Sequence, residues 1–171
     1  TSLDSLDLSL CDFEKNKKIK YFKSYRIPQS LRDKINECKN QPNGKKLFGE
    51  TDELTTKFII KSLRKFIAAS KTKKIAAIGY PGITIIHNPK KKISKTLGNP
   101  TIIAKESGLS VVADFRLTDM KHGGQGAPLA PYFHEYISSK GGDFLNFINL
   151  GGFANLTYSS NNKLMAFDTG P

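Results

Sequence analysis

The sequence has few cysteines, few acidic residues and no long hydrophobic stretch. Its two cysteines, Cys11 and Cys38, are too few for a disulfide framework and have no histidine or cysteine at zinc-ligand spacing, so we expect free thiols. No apolar run approaches the ~20 residues of a membrane-spanning helix, and the first residues lack the regions of a signal peptide. The sequence therefore predicts a cytoplasmic protein with no membrane partner.

Acidic residues are outnumbered by basic ones, with 15 Asp and Glu against 27 Lys and Arg, for a net charge of +12. A basic surface can bind nucleic acid through phosphate contacts. However, the excess is mostly lysine, its runs, such as residues 90–92, fall in turns between apolar segments, and no nucleic-acid motif with stacking aromatics is present. We therefore predict solvated loops and no nucleic-acid partner.

Hydrophobic periodicity predicts an α/β protein that opens on a hairpin, in which residues 6–10 and 19–27 alternate apolar and polar side chains. Asp52 and Glu53 are expected in the first turn of the longest helix, and the turn at 138–142 is predicted to separate a domain of residues 1–140 from the start of a second at 141–171. The other predicted elements are helices at about 31–38, 51–70, 100–107 and 128–139, and strands at 75–78, 84–87, 109–115, 144–150, 154–159 and 163–167.

Three glycine-bearing loops lie in the last third of the chain, each beside an apolar run: residues 123–126, Gly151-Gly152 and residues 168–171. Glycine has no Cβ, so main-chain N–H groups in such loops can approach a phosphate or a sugar closely. Asp168, at a predicted strand end beside one of these loops, is well placed to act as a general base.

Other polar residues have two interpretations each. Residues 1–7 put hydroxyls and two carboxylates before a strand, which suits a nucleotide phosphate and its magnesium ion, but an ordinary polar strand edge is the alternative. Asp114, Arg116 and Asp119 follow a predicted strand, where open α/β sheets hold ligand-binding groups, or they form an exposed ion-pair cluster. His87 either contacts a ligand or is structural.

Five segments together resemble the anhydro-N-acetylmuramic acid kinase family, of the sugar kinase, Hsp70 and actin superfamily. The resemblance runs essentially from end to end of the chain. It rests on TSLDSLD at 1–7, IPQSL at 27–31, VVADFRLTDMKHGGQGAPLAPYFH at 111–134, NLGGFANLT at 149–157 and FDTGP at 167–171.

This resemblance implies a ribonuclease-H-like (actin-like ATPase) domain with a mixed sheet flanked by helices, followed by the first strands of a second, similar domain. It also implies ATP and Mg²⁺ as cofactors. The family reaction opens the 1,6-anhydro bond of anhydro-N-acetylmuramic acid with water and passes the ATP γ-phosphate to O6, giving N-acetylmuramic acid 6-phosphate in peptidoglycan recycling.

The resemblance also implies a role for each matching residue. Asp168 is expected to be the catalytic base that deprotonates the attacking water. Asp4 and Asp7 are expected to hold the metal. The predicted ATP- and phosphate-binding residues are Thr1, Ser2, Asp4, Ser5, Asp7, Asn149, Gly151, Gly152, Asn155, Thr157 and Gly170. The predicted sugar-binding residues are His87, Arg116, Asp119, Gly124, Gln125, Gly126 and Pro128.

The sequence departs from the family pattern at several positions. Ser5 stands where members usually carry glycine, and Pro81-Gly82-Ile83-Thr84 stands where they carry His-Gly-Gln-Thr. The segment 96–99 is shortened and lacks the family's aspartate. The chain begins inside the first phosphate loop and stops where the family continues for about as long again.

These departures lead to two expectations. The first is that the 171 residues come from a kinase but do not turn over ATP on their own, because much of the nucleotide site is missing. The alternative is a truncated or decayed member of the family with no catalytic activity. The family resemblance also implies a possible homodimer.

Overall fold

The computed structural model describes residues 3–13, 18–72, 74–138, 145–150, 154–160 and 163–170. In these ranges the chain forms five α-helices and nine strands, as an α/β protein should. The strands are β1 (Ser5–Asp12), β2 (Lys18–Arg26), β3 (Ile78–Gly79), β4 (Ile83–Asn88), β5 (Ile93–Leu97), β6 (Val111–Val112), β7 (Leu145–Asn149), β8 (Ala154–Ser160) and β9 (Lys163–Gly170). The helices are α1 (Gln29–Asn40), α2 (Lys45–Ser70), α3 (Pro100–Ser107), α4 (Phe115–Lys121) and α5 (Ala130–Ser138).

The strands form four small sheets among the described residues. Strands β1 and β2, β4 and β5, and β7 to β9 are antiparallel, whereas β3 and β6 form a short parallel pair. Parallel and antiparallel pairing therefore both occur, but in separate sheets rather than in one continuous mixed sheet. The ribonuclease-H-like arrangement stays a prediction.

Contacts divide the chain into an N-terminal unit, residues 2–117, and a C-terminal unit, residues 118–171. The division falls within α4. The predicted domain boundary at 140/141 lies outside the described residues, so the two-domain assignment also stays a prediction.

The core of the N-terminal unit is built on α2. Ile59, Ile60 and Leu63 lie on one face of this helix and pack with Tyr80 and Ile103. A second cluster joins Ile27, Leu31, Ile35 and Leu97, with Phe48 of α2 against it. Apolar residues at helical spacing thus form one buried stripe on α1 and one on α2. The packing of these stripes positions the β4–β5 hairpin and α3 against the two helices.

Helix α2 begins earlier than the periodicity predicts. It starts at Lys45 and runs through Gly49, so Asp52 and Glu53 are not in its first turn, which contains no acidic residue. Phe48 packs in the second cluster, and Lys95 lies over its ring at 3.6 Å from the centroid. This tertiary packing extends the helix through a glycine that disfavours it locally.

The expected strand at 109–115 is much shorter in the structure. Only Val111 and Val112 pair, with Ile78 and Gly79 of β3. Asp114 then adopts a positive φ of 58°, and Phe115 begins α4. Arg116 and Asp119 therefore lie on a helix, which corrects their predicted position at a strand end.

Helix α3 has the bounds 100–107 that the sequence predicts. Asn99 Oδ1 accepts hydrogen bonds from the N–H groups of Thr101 and Ile102 at 3.0 and 3.1 Å, and Gly108 ends α3 in the left-handed conformation. The opening hairpin is also confirmed. In the part of the chain that the structure describes, no helix is both long enough and apolar enough to cross a bilayer.

Candidate active site

Sheet register in the C-terminal unit brings three predicted site residues into one row. Asn149 of β7 pairs with Asn155 of β8, which pairs with Asp168 of β9. Paired residues on adjacent antiparallel strands present their side chains on the same face with Cα atoms ~5 Å apart. The exposed carboxylate of Asp168 is therefore next to an amide side chain that can share a ligand with it.

Helix α5 packs against this same face. His134 Nδ1 lies 2.9 Å from Thr157 Oγ1, and its ring stacks on Phe147 with centroids 4.3 Å apart and an interplanar angle of 11°. Thr157 is only 3% exposed. Its hydroxyl thus has an internal contact with α5, and its predicted role in phosphate binding stays a prediction.

Asp119 organises the glycine loop that follows α4. Its Oδ2 accepts the main-chain N–H of Gly126 at 2.7 Å, its main-chain carbonyl accepts the N–H of Gly124 at 2.9 Å, and the Tyr132 hydroxyl lies 3.4 Å from Oδ1. A Cβ on Gly124 would overlap the Asp119 carboxylate, so only glycine fits there. The half-buried carboxylate therefore fixes the shape of the loop.

The same loop contains two more residues that were predicted to bind the sugar. Gln125 and Pro128 are exposed, and the peptide bond before Pro128 is cis. The loop therefore offers the amide of Gln125 at the surface of the C-terminal unit.

In the N-terminal unit, Arg116 lines a small pocket. Ser94 and Thr96 of β5, Asp114, and Pro81 are also part of its wall. A guanidinium beside two hydroxyls can bind an anionic or hydroxyl-rich ligand. Arg116 and Asp114 were predicted from the sequence, whereas Ser94 and Thr96 were missed because β5 was not recognised as a strand.

His87 is the cross-strand neighbour of Ser94 in the β4–β5 hairpin. Among the described residues, neither ring nitrogen of His87 nor the hydroxyl of Ser94 has a hydrogen-bond partner, although all three atoms are buried. Buried polar atoms without a partner are rare and costly, and they often indicate a ligand or a water. Ser94 lines the pocket of Arg116, whereas His87 does not.

The predicted first phosphate loop lies only partly in the described residues, since Thr1 and Ser2 are outside them. Ser5 Oγ donates to Asp7 Oδ1 at 2.8 Å, and hydrogen bonds from Ser24 and Ser5 lower the pKa of the Asp7 carboxyl below its usual value. Asp4 instead pairs with Arg32, at 3.1 Å. The Asp7 carboxylate is thus exposed, whereas the Asp4 carboxylate is in an ion pair, and the metal-binding role of both residues stays a prediction.

A magnesium ion needs few protein ligands, because it keeps several waters and takes phosphate oxygens as further ligands. The described residues contain no cluster of three or more His, Cys, Asp or Glu side chains that could hold a metal on its own. The carboxylate of Asp7 fits a metal that is held mainly by a nucleotide. Gly151 and Gly152, of the predicted second phosphate loop, are outside the described residues, and Gly170 ends β9.

Comparison with known proteins identifies the family. The profile described as anhydro-N-acetylmuramic acid kinase matches residues 1–171, the whole chain. The chain belongs to the anhydro-N-acetylmuramic acid kinase family. The segments that carry the sequence resemblance all lie within this match.

Curated relatives of that name agree. The chain is 38% identical to the protein from Sulfurimonas denitrificans over 99% of this chain and 47% of the relative. It is 35% identical to the protein from Pseudomonas putida and 36% identical to that from Sulfurovum sp., over 100% of this chain and 48% and 49% of the relatives. The chain thus spans about half the length of the curated kinases that it matches.

Proposed function

We propose that this chain provides sugar- and phosphate-binding residues of an ATP-dependent kinase that converts 1,6-anhydro-N-acetylmuramic acid to N-acetylmuramic acid 6-phosphate. The reaction would belong to the cytoplasmic recycling of peptidoglycan. The observation that carries the proposal is the match of all 171 residues to the kinase family. The in-register row of Asn149, Asn155 and Asp168 supports it, because it places a carboxylate beside two amides.

In the proposed reaction Asp168 takes a proton from water as the water oxygen attacks the anomeric carbon. The bond between that carbon and O6 breaks, and O6 attacks the γ-phosphorus of ATP, which releases ADP. A carboxylate in this role has to lie within hydrogen-bond reach of the water. The exposed position of Asp168 on β9 leaves it accessible to solvent and substrate.

The pocket lined by Ser94, Thr96 and Arg116 has a volume of about 10 Å³, so it is proposed to bind one polar group of the sugar rather than to enclose the whole sugar. Anhydro-N-acetylmuramic acid carries a lactyl carboxylate, which complements a guanidinium, and hydroxyl and amide groups, which complement serine and threonine. The Ser94 hydroxyl, buried without a partner among the described residues, would gain a hydrogen bond from such a ligand.

Phosphoryl transfer depends mainly on positioning and on neutralising phosphate charge. Asp7 would hold the magnesium ion, which supplies this neutralisation when bound. Main-chain N–H groups of the glycine loops and the amides of Asn149 and Asn155 would orient the phosphates. The hydrogen bonds from Ser24 and Ser5, which lower the pKa of the Asp7 carboxyl and so favour its charged form, support that role.

A chimeric enzyme tests the proposal. This chain replaces the matching part of the Sulfurimonas denitrificans kinase, and the product is analysed by mass spectrometry after incubation with ATP and substrate in ¹⁸O-labelled water. We expect a sugar that has gained one phosphoryl group and one water, with the heavy oxygen at C1 and none in the phosphate. A folded chimera that binds the sugar but forms no phosphorylated product contradicts the proposal.

The alternative is a family member that keeps the fold without the activity. It is favoured by Pro81, which lines the pocket of Arg116 at a position where the family carries histidine, and by Ile83, which replaces glutamine. The double substitution Pro81→His and Ile83→Gln in the chimera distinguishes the two. If the unaltered chimera is inactive and this variant gains turnover, the decayed form of the protein is supported.

A further inference from the structure

The pair of Asn155 and Asp168 lies beside a β-bulge in the sheet of the C-terminal unit. Ala154 pairs with Gly170 and Asn155 with Asp168, so Thr169 is the extra residue on β9. The Thr169 hydroxyl donates to the main-chain carbonyl of Ala154 at 3.1 Å and so fixes the bulge on this side of the pair. Because a bulge bends its strand and increases the local twist, the direction of the Asp168 side chain depends on how the strands are held on the other side of the pair.

Helix α5 holds the strands on that other side. Thr157 is two residues from Asn155 on β8 and therefore lies on the same face of the sheet. Thr157 is only 3% exposed, and its hydroxyl lies 2.9 Å from Nδ1 of His134. The imidazole of His134 also stacks on Phe147, the cross-strand neighbour of Thr157. One histidine thus contacts both β7 and β8 next to the row that contains Asp168.

The same helix contacts the glycine loop that follows α4. The hydroxyl of Tyr132, two residues before His134, lies 3.4 Å from Asp119 Oδ1, and Asp119 Oδ2 accepts the N–H of Gly126. A helix of nine residues therefore contacts both the loop that carries predicted sugar-binding residues and the sheet that carries Asp168. The spacing between the loop and the Asp168 carboxylate depends on how firmly α5 is held on the sheet.

We propose that His134 is a positioning residue, which sets the place of the Asp168 carboxylate relative to the Asp119 loop through its contact with Thr157. This role rests on the proposed function, in which Asp168 is the base and the loop contacts the sugar. A misplacement of ~1 Å at a reacting group can cost on the order of 100-fold in rate. In this role the imidazole acts through the sheet and forms no bond to the reacting atoms.

Three substitutions separate the contacts of His134. His134→Phe keeps a ring that can stack on Phe147 and removes the contact with Thr157, whereas His134→Asn places an amide near the position of Nδ1 and removes the stacking. Thr157→Val removes the hydroxyl at nearly constant side-chain volume. Since His134→Phe and Thr157→Val remove the same contact, they should have equal effects, and the double variant should have no larger one. His134→Asn should have a smaller effect than either.

The first measurement uses the 171-residue chain without substrate. Nuclear magnetic resonance follows the carboxyl ¹³C signal of Asp168 and the side-chain amide signals of Asn155. We expect both to move in the same direction in His134→Phe and in Thr157→Val, and to lie closer to their original positions in His134→Asn. Circular dichroism verifies the fold, and Thr157→Val carries the comparison should His134→Phe not fold. Signals that stay unchanged in the folded variants overturn the proposal.

His122→Phe is the matched control for this measurement. His122 is exposed, follows α4, and has its Nδ1 2.8 Å from the main-chain carbonyl of Thr118 rather than near the sheet. The same change of histidine to phenylalanine should therefore leave the signals of Asp168 and Asn155 in place. Equal movement of these signals in His122→Phe and in His134→Phe also overturns the proposal.

The second measurement uses the chimeric enzyme. His134→Phe should lower kcat by ~10-fold and leave the KM for the sugar nearly unchanged, because the loop keeps its own hydrogen bonds to Asp119. An active chimera that keeps its full kcat in His134→Phe overturns the proposal. If the unaltered chimera forms no product, the proposed function is contradicted instead, and the signals of the 171-residue chain alone then decide whether His134 positions Asp168.

Discussion

Asp52 Oδ1 accepts a hydrogen bond from the main-chain N–H of Gly98 at 2.7 Å and so ties α2 to the turn between β5 and α3. Two further side chains hold the same turn. Thr56 Oγ1 accepts the N–H of Asn99 at 2.9 Å, and the Tyr80 hydroxyl donates to the carbonyl of Leu97 at 2.7 Å. Three consecutive main-chain groups are therefore fixed from α2 and the β3–β4 connection, which positions the hairpin that carries Ser94 and Thr96.

The first prediction concerns the charge of Asp52. Burial raises the pKa of this carboxyl above its usual value, against the opposing effect of the Gly98 N–H. Because the folded state then binds the proton more tightly than the unfolded state, stability falls as pH rises from the unfolded pKa to the folded one. Asp52→Asn keeps an acceptor oxygen without the charge, so its stability should equal or exceed that of the unaltered chain at pH 7. It should also lack the part of the pH dependence that comes from Asp52.

Asp52→Ala is the matched variant, because it removes the acceptor as well. It leaves the Gly98 N–H without its partner and should be less stable than Asp52→Asn by about 1–2 kcal/mol. Urea unfolding followed by circular dichroism at several pH values measures both differences. Equal stability of the Asn and Ala variants would show that the hydrogen bond contributes nothing.

The second prediction compares two glycines with positive φ. Gly108, at the end of α3, has a φ of 69° and open space where a Cβ would lie, so Gly108→Ala should cost only the strain of its backbone, about 1 kcal/mol. Gly98 has a φ of 92°, and a Cβ there would overlap the Tyr80 hydroxyl and crowd Ile59. Gly98→Ala should cost about 3 kcal/mol or more. Thermal unfolding of both variants checks this, and similar losses would contradict it.

Elements whose ends are determined by single capping or turn residues were predictable from the sequence. Asn99, Pro100 and Gly108 delimit α3 because capping and positive φ depend on single residues. The start of α2 was not predictable, since packing of Phe48 outweighs the local cost of Gly49. The apolar run at 109–115 reads as a strand, but only the two residues that find a partner become one.

The candidate site was likewise predictable only where single residues identify it, and not where it depends on tertiary structure. Asp168 and Asn155 were identified as site residues, but their adjacency depends on the register of β8 and β9 and on a bulge between Ala154 and Asn155. Spacing along the chain does not specify that register. Ser94 was missed, because its burial and its pairing with His87 are properties of the folded hairpin.

The third prediction concerns Ser5, which stands where the family usually carries glycine. Its hydroxyl donates to Asp7, and a glycine at this position would let a phosphate approach the main chain more closely, because glycine has no Cβ. In the chimeric enzyme, Ser5→Gly should lower the KM for ATP several-fold if the Cβ is the obstacle, whereas Ser5→Ala, which keeps the Cβ, should not. If both variants raise the KM, the hydroxyl of Ser5 orients Asp7, and the steric explanation is wrong.

The last prediction distinguishes the roles of Asp168 and Asp119, two carboxylates of the C-terminal unit. If Asp168 is the base, Asp168→Asn in the chimera should lower kcat by about 10²–10⁴-fold and leave the KM for the sugar nearly unchanged. Asp119 holds the Gly126 N–H, so Asp119→Asn should act mainly through the shape of the loop and raise that KM. A variant that abolishes kcat without weakening sugar binding, measured by calorimetry, identifies the base. Should Asp119→Asn behave in this way while Asp168→Asn remains active, the role of base passes to Asp119, whose half-buried carboxylate already lies against the predicted sugar loop.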